Sequence, residues 1–179
     1  DALDYGTLIH FLLEKLFKKY TDNKIAYVDE KSLSDEIDEL LKTYIDQNLG
    51  GLKNKSEFFT YTIQRIKKSF IFLVKHFAEE FKQSEFKVLD TELEISNSGS
   101  IKPLVFTLSN GKKVYIEGKI DRADLMQTEN SNYVRIIDYK TGNKQFKLSD
   151  VLYGLNLQML IYLLSIQKNG IGKYKDIIP

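Results

Sequence analysis

The chain has 179 residues, no cysteine and a formal net charge of +1. Absence of cysteine excludes disulfides, thiolate metal sites and a cysteine nucleophile. The near-neutral charge means that any nucleic-acid contact must come from a local patch rather than a global basic excess. No apolar run is long enough to span a bilayer, and the start carries no signal-peptide pattern.

The length suits one domain with a sizeable core. The chain begins inside a helical pattern at Asp1-Ala2-Leu3, as expected of a piece of a longer protein. Residues 1–84 read as mainly helical, 85–142 as a sheet and 147–168 as a last helix, together one domain over 1–179.

Apolar spacing predicts a first helix over 3–20, through Leu8, Ile9, Leu12, Leu13, Leu16 and Phe17. His10 and Glu14 share its other face, and a lone histidine there is a surface residue or a ligand. Residues 21–31 read as a polar connection. Ser32 or Ser34 is the expected N-cap of a second helix, which Gly50-Gly51 ends. Ser56 opens a long third helix to about Gln83. Arg65, Lys67, Lys68, Lys75 and His76 along it read as a solvated face or as a flank that contacts phosphates.

From Lys87 the period changes from helical to two. Strands are expected over Val88–Ile95 and Leu104–Leu108, with a hairpin turn at Ser109-Asn110-Gly111-Lys112 and a returning strand from Lys113 to Asp124. A polar loop over 127–132 leads to a central strand over Tyr133–Lys140. Residues 169–179 read as a tail.

Two segments carry chemistry: Gly118-Lys119-Ile120-Asp121-Arg122-Ala123-Asp124 and Ile136-Ile137-Asp138-Tyr139-Lys140-Thr141-Gly142. Alternation puts Asp138 and Lys140 on one side of their strand. Converging carboxylates suit a hard divalent cation, and a lysine beside them suits handling of a water. The plain alternative is solvated charge at strand ends. On the last helix Gln158 and Tyr162 are four apart, either satisfied within a core or bordering a site.

The ordered set Gly6-Thr7-Leu8-Ile9-His10, Gly118 to Asp124, Asp138-Tyr139-Lys140-Thr141-Gly142 and Gly154 to Tyr162 resembles the RecB-type branch of the PD-(D/E)XK nuclease superfamily. Within it the match is to the C-terminal nuclease domain of AddAB-type B subunits. The resemblance implies an α/β fold: a restriction-endonuclease-like core with a central mixed sheet flanked by helices and an N-terminal helical portion. It implies a Mg²⁺-dependent deoxyribonuclease, with Mn²⁺ able to substitute. Such an enzyme would be an exonuclease on single strands delivered by a helicase, in double-strand-break repair and recombination in the cytoplasm.

By position, His10, Asp121 and Asp138 match the family's metal ligands, with the Tyr139 carbonyl as a further one. Lys140 matches the lysine that handles the attacking water, so Lys140, Asp138 and Asp121 form the catalytic set. Gln158 and Tyr162 match the motif that borders the site and its DNA, and Glu92 falls where the family often has an early acidic residue. The implied partners are DNA and an AddA-like helicase–nuclease A subunit, with no membrane. An iron–sulfur cluster belongs to such B subunits, and this chain has no cysteine to hold one. The rival readings are a catalytically inactive DNA-binding or scaffolding module, and a solute-binding or interaction domain.

Overall fold

The structure is a computed structural model and describes residues 4–53, 55–140 and 157–179. The expectations for Thr141, Gly142 and residues 147–156 lie outside the described residues. The chain divides into two compact units, Asp1–Glu85 and Phe86–Pro179.

The first unit is helical: α1 (Tyr5–Lys19), α2 (Glu30–Leu49) and α3 (Glu57–Gln83). Each buries the apolar stripe that its spacing dictates: Leu8, Leu12 and Leu16 on α1, Leu33, Ile37 and Leu41 on α2, Ile63, Ile66 and Phe70 on α3. Phe17 meets Phe77 and Phe81 edge-on, with ring centroids 5.8 and 5.7 Å apart. Ser56 caps α3 as expected, its hydroxyl accepting from the Phe59 N–H at 3.1 Å. Gly50 ends α2 in the left-handed region at φ 73°, where a side chain would be strained.

The start of α2 differs from the expectation of Ser32 or Ser34. Asp29 is the cap, and its carboxylate accepts from both the N–H and the hydroxyl of Ser32, at 2.9 and 2.6 Å. A carboxylate takes two donors at once and places negative charge at the helix's positive end, which a serine does not.

The second unit holds β1 (Lys87–Ile95), β2 (Leu104–Thr107), β3 (Lys113–Ile116), β4 (Gly118–Gln127), β5 (Asn132–Ile137), α4 (Gln158–Asn169) and β6 (Ile177–Ile178). Among the described residues β1, β4, β5 and β6 form a sheet in the order β1-β4-β5-β6. Its first two pairings are antiparallel and the last is parallel, so the sheet is mixed. The strand expected over Lys113–Asp124 is two strands. β3 pairs with β2 in a separate two-stranded sheet, whereas β4 runs between β1 and β5. The break falls before Gly118, where an added Cβ would lie 2.6 Å from the Tyr162 hydroxyl. The absence of a side chain lets α4 seat its tyrosine on the backbone.

The apolar cluster of this unit joins Leu93, Ala123, Val134 and Ile136 of the sheet to Tyr162 and Ile166 of α4. α4 buries Tyr162, Ser165 and Ile166, and Leu160 and Leu164 are exposed. The expected tail is also part of the fold. Tyr174 is 1 % exposed, Ile177 joins the core, and β6 pairs with β5. The Tyr174 hydroxyl donates to the Asp90 carboxylate. Burial pushes that phenol far up, so it stays a donor.

Candidate metal and catalytic centre

β4 is an interior strand, between β1 and β5, and carries charge where a strand buried on both faces normally has none. Asp121, Arg122 and Asp124 are all buried. Unpaired, such groups would cost several kcal/mol each, so their partners decide what each is for.

Arg122 and Asp124 are two apart on one side of the strand, and they answer each other. The guanidinium donates twice to the carboxylate, at 2.8 and 2.9 Å. Arg135 of β5 adds a third bond at 2.8 Å, and its guanidinium lies over the Phe86 ring, 4.9 Å from the centroid. Arg122 also reaches the Tyr139 hydroxyl at 3.5 Å. Burial pushes the Tyr139 phenol well above its usual range, against a partial pull from Arg122, so it remains protonated. This network anchors the segment that follows β5.

Asp121 lies at the other end of the same strand. Its carboxylate accepts the backbone N–H of Tyr139 at 2.7 Å. That bond ties Asp121 to the turn carrying Asp138, Tyr139 and Lys140. The β4–β5 register pairs Arg122 with Ile137, the last residue of β5. On the β1 side Thr91 pairs with Arg122 and Leu93 with Ile120, which sets Glu92 opposite Asp121. A carboxylate oxygen of Glu92 and one of Asp121 lie within 4.8 Å of each other. Strand register thus puts Glu92 of β1 beside Asp121 of β4, and Asp138 follows directly on the end of β5.

Glu92 holds an unusual backbone for its residue type, with φ 54°. A non-glycine residue in this left-handed region costs about 1–3 kcal/mol, and such costs concentrate at functional sites. Its carboxylate is paired with Lys119. Lys140 donates to Asp138 at 2.6 Å; the strand expected to run to Lys140 ends at Ile137, so this contact is made beyond the strand and not by its alternation. Lys140 is half exposed and Asp138 mostly covered.

The remaining expected residues sit as follows. His10 lies half-buried within α1 of the helical unit. Tyr162 is 9 % exposed and its hydroxyl accepts from Gln158 at 3.1 Å. Its ring presses on Gly118, three residues before Asp121, so it supports the start of the strand that presents the acid. Sequence reading gave no role to the Arg122–Asp124 pair. The available signal was two opposite charges at i and i+2 inside an apolar strand, the spacing at which side chains share a face.

Carboxylate oxygens are hard donors, and two of them converge here with one buried. This donor set fits Mg²⁺ or Mn²⁺ and would suit a soft, thiolate-seeking ion poorly.

Comparison with known proteins agrees with this geometry. Residues 1–176 match the PD-(D/E)XK nuclease superfamily. The chain is 34% identical over 168 residues to the B subunit of the ATP-dependent helicase/deoxyribonuclease of Clostridium acetobutylicum, covering 93% of this chain and 15% of that protein. It is 36% identical over 169 residues to the protein of the same name in Clostridium novyi, again covering 93% and 15%. For Clostridioides difficile the identity is 32% over 178 residues, covering 98% and 15%. The chain thus spans about 15% of the length of the curated relatives it matches. A family match over almost all of its length shows that the chain belongs to the PD-(D/E)XK nuclease superfamily.

Proposed function

We propose that the chain is a metal-dependent deoxyribonuclease module in which the two units act as one domain. The observation that carries this reading is the tie between Asp121 and the Tyr139 N–H. It joins the β4 acid, with Glu92 within 4.8 Å, to the turn that bears Asp138 and Lys140. The ligand set is His10, Asp121, Asp138 and the Tyr139 carbonyl, with Glu92 completing the charge. A divalent cation bound there, Mg²⁺ or Mn²⁺, supplies a Lewis acid for a phosphate oxygen and a bound water of lowered pKa.

The residues divide the work. Asp121 and Asp138 provide the negative charge that holds the cation. Lys140 orients the attacking water and offers positive charge to the phosphate oxygens as charge develops on them. Its present bond to Asp138 keeps the ammonium beside the site. The buried Arg122–Asp124 pair positions the turn through Tyr139 and touches no reacting atom. Gln158 and Tyr162 hold the start of β4 in place.

The names of the relatives join a helicase to a deoxyribonuclease. This supports a wider reading: an exonuclease acting on single strands that a helicase–nuclease A subunit delivers, in cytoplasmic DNA repair and recombination. No described helix is long and apolar enough to cross a membrane. Any iron–sulfur cluster in the parent protein takes its cysteines from outside this chain.

The test pairs Lys140→Ala with Asp138→Ala. Lys140→Ala should lower cleavage of single-stranded DNA by roughly 10²–10³-fold and leave Mn²⁺ binding in place. Asp138→Ala should lose both. Wild-type cleavage by Lys140→Ala would reject this account of the site. DNA binding with no cleavage by the assembled wild-type protein would instead support an inactive DNA-binding module.

A further inference from the structure

The long helix α3 has two faces that do not belong to the same design. Ile63, Ile66, Phe70, Val74 and Phe81 are buried in its own unit. A second series runs along the outside: Phe58, Tyr61, Arg65, Lys68, Phe72 and Lys75, all exposed. The steps are three, four, three, four and three, so these side chains form one stripe along the helix. Phe58 is 77% exposed, Tyr61 60% and Phe72 76%. Fourteen residues at the helical rise place Phe58 and Phe72 about 21 Å apart along the axis.

No carboxylate lies on the stripe between Phe58 and Lys75. At its far end Lys75 is paired with Glu30 of α2 at 2.8 Å, a solvent-exposed bond that a phosphate can replace. The Arg65 guanidinium lies over the Tyr61 ring, 6.0 Å from its centroid. Beside it opens a cleft of about 440 Å³ lined by Tyr5, Thr62, Arg65, Ile66 and Ser69, within the range of sites that take a small ligand. The Thr62 hydroxyl donates to the Phe58 carbonyl at 2.8 Å, which leaves its lone pairs toward solvent.

We propose that the outer face of α3 is a path for single-stranded nucleic acid. It rests on the nuclease reading above and adds a binding surface outside the acids around Asp121. Flat rings spaced along a groove stack with unpaired bases of any sequence, and cations between them meet the phosphates. A duplex keeps its bases stacked on one another and offers such rings nothing. The lysines argue against a protein occupant, because protein interfaces are depleted in lysine at their core and enriched in aromatics and arginine. Here Arg65 and Lys68 lie between Tyr61 and Phe72, and Lys75 follows Phe72, which suits a polyanion.

The experiment measures fluorescence anisotropy of a labelled oligothymidylate, in chelator so that nothing is cut, with the longest polypeptide that carries this chain. The substitutions are on the surface, and circular dichroism checks the fold. Tyr61→Ala and Phe72→Ala should each weaken binding roughly tenfold, whereas Tyr61→Phe should bind as wild type. Arg65→Gln and Lys68→Gln should each reduce the slope of log affinity against log salt by about 0.7. Duplex DNA of the same length should be insensitive to the aromatic changes. Because binding is read without cleavage, the result stands whether or not the acids around Asp121 prove catalytic. Unchanged affinity and salt slope in the variants, absence of oligothymidylate binding by the wild type, or loss of a protein partner with oligonucleotide affinity intact would each overturn the proposal.

Discussion

β4 carries two buried aspartates three residues apart, and they live in different electrostatic worlds. Asp124 sits among cations, with two bonds from Arg122 and one from Arg135. Asp121 accepts a neutral backbone N–H and has the Glu92 carboxylate within 4.8 Å. The first arrangement closes on itself. The second sets two carboxylates close together, one of them paired with the Lys119 ammonium. The same residue type on the same strand closes a buried ion-pair network at one position and lies beside a second carboxylate at the other. Burial alone does not tell them apart; the sign of the neighbours does.

The largest effect that would break this contrast is on stability. Asp124→Ala should lose about 3–5 kcal/mol, because it strands two guanidiniums, one of them fully buried. Asp121→Asn should cost less in the metal-free protein, since the amide oxygen still accepts the Tyr139 N–H. Urea unfolding of both variants in chelator checks this. Equal losses would mean that Asp121 is as structural as Asp124.

How much of this was legible follows from the range of the forces involved. Ser56 and Gly50 were readable because a cap and a left-handed stop are local events. Alternation does not account for the contact of Asp138 with Lys140, because both lie past the end of β5. The approach of Glu92 to Asp121 was not readable locally, because it comes from strand register, and register is a tertiary property. The alliance of Arg122, Asp124 and Arg135 crosses two strands and was missed for the same reason. Residues 169–179 lack a periodic run, and only the docking of Tyr174 and Ile177 makes them part of the core. The exposed rings of α3 were present in the sequence but out of phase with its apolar stripe. That mismatch was the signal, and it went unread.

A middle-sized effect sharpens the contrast from the packing side. Gly118→Ala places a Cβ 2.6–2.7 Å from the Tyr162 hydroxyl and ring. It should cost about 1–3 kcal/mol by overpacking and should disturb the Asp121 end of β4 more than the Asp124 end. Thermal unfolding gives the first quantity. Hydrogen exchange at the Tyr139 N–H, which reports its bond to Asp121, gives the second. Unaltered exchange there would show that the tyrosine seat does not support the site.

The smallest effect concerns the strained backbone. Glu92→Gly relieves the left-handed conformation at φ 54° and removes a carboxylate beside Asp121. The metal-free protein should gain about 0.5–1 kcal/mol relative to Glu92→Ala, which keeps the strain and loses the same charge. Equal stability of the two variants would place no strain at that position.

The central claim is that the acids around Asp121, unlike Asp124, are arranged for a divalent cation. Calorimetric titration of Mn²⁺ into the wild type and into Asp121→Asn tests it most directly. The account predicts a binding isotherm for the wild type and at least roughly tenfold weaker binding for the variant, one such factor being 1.36 kcal/mol. Equal affinity in the two proteins, or no binding by either, would contradict it.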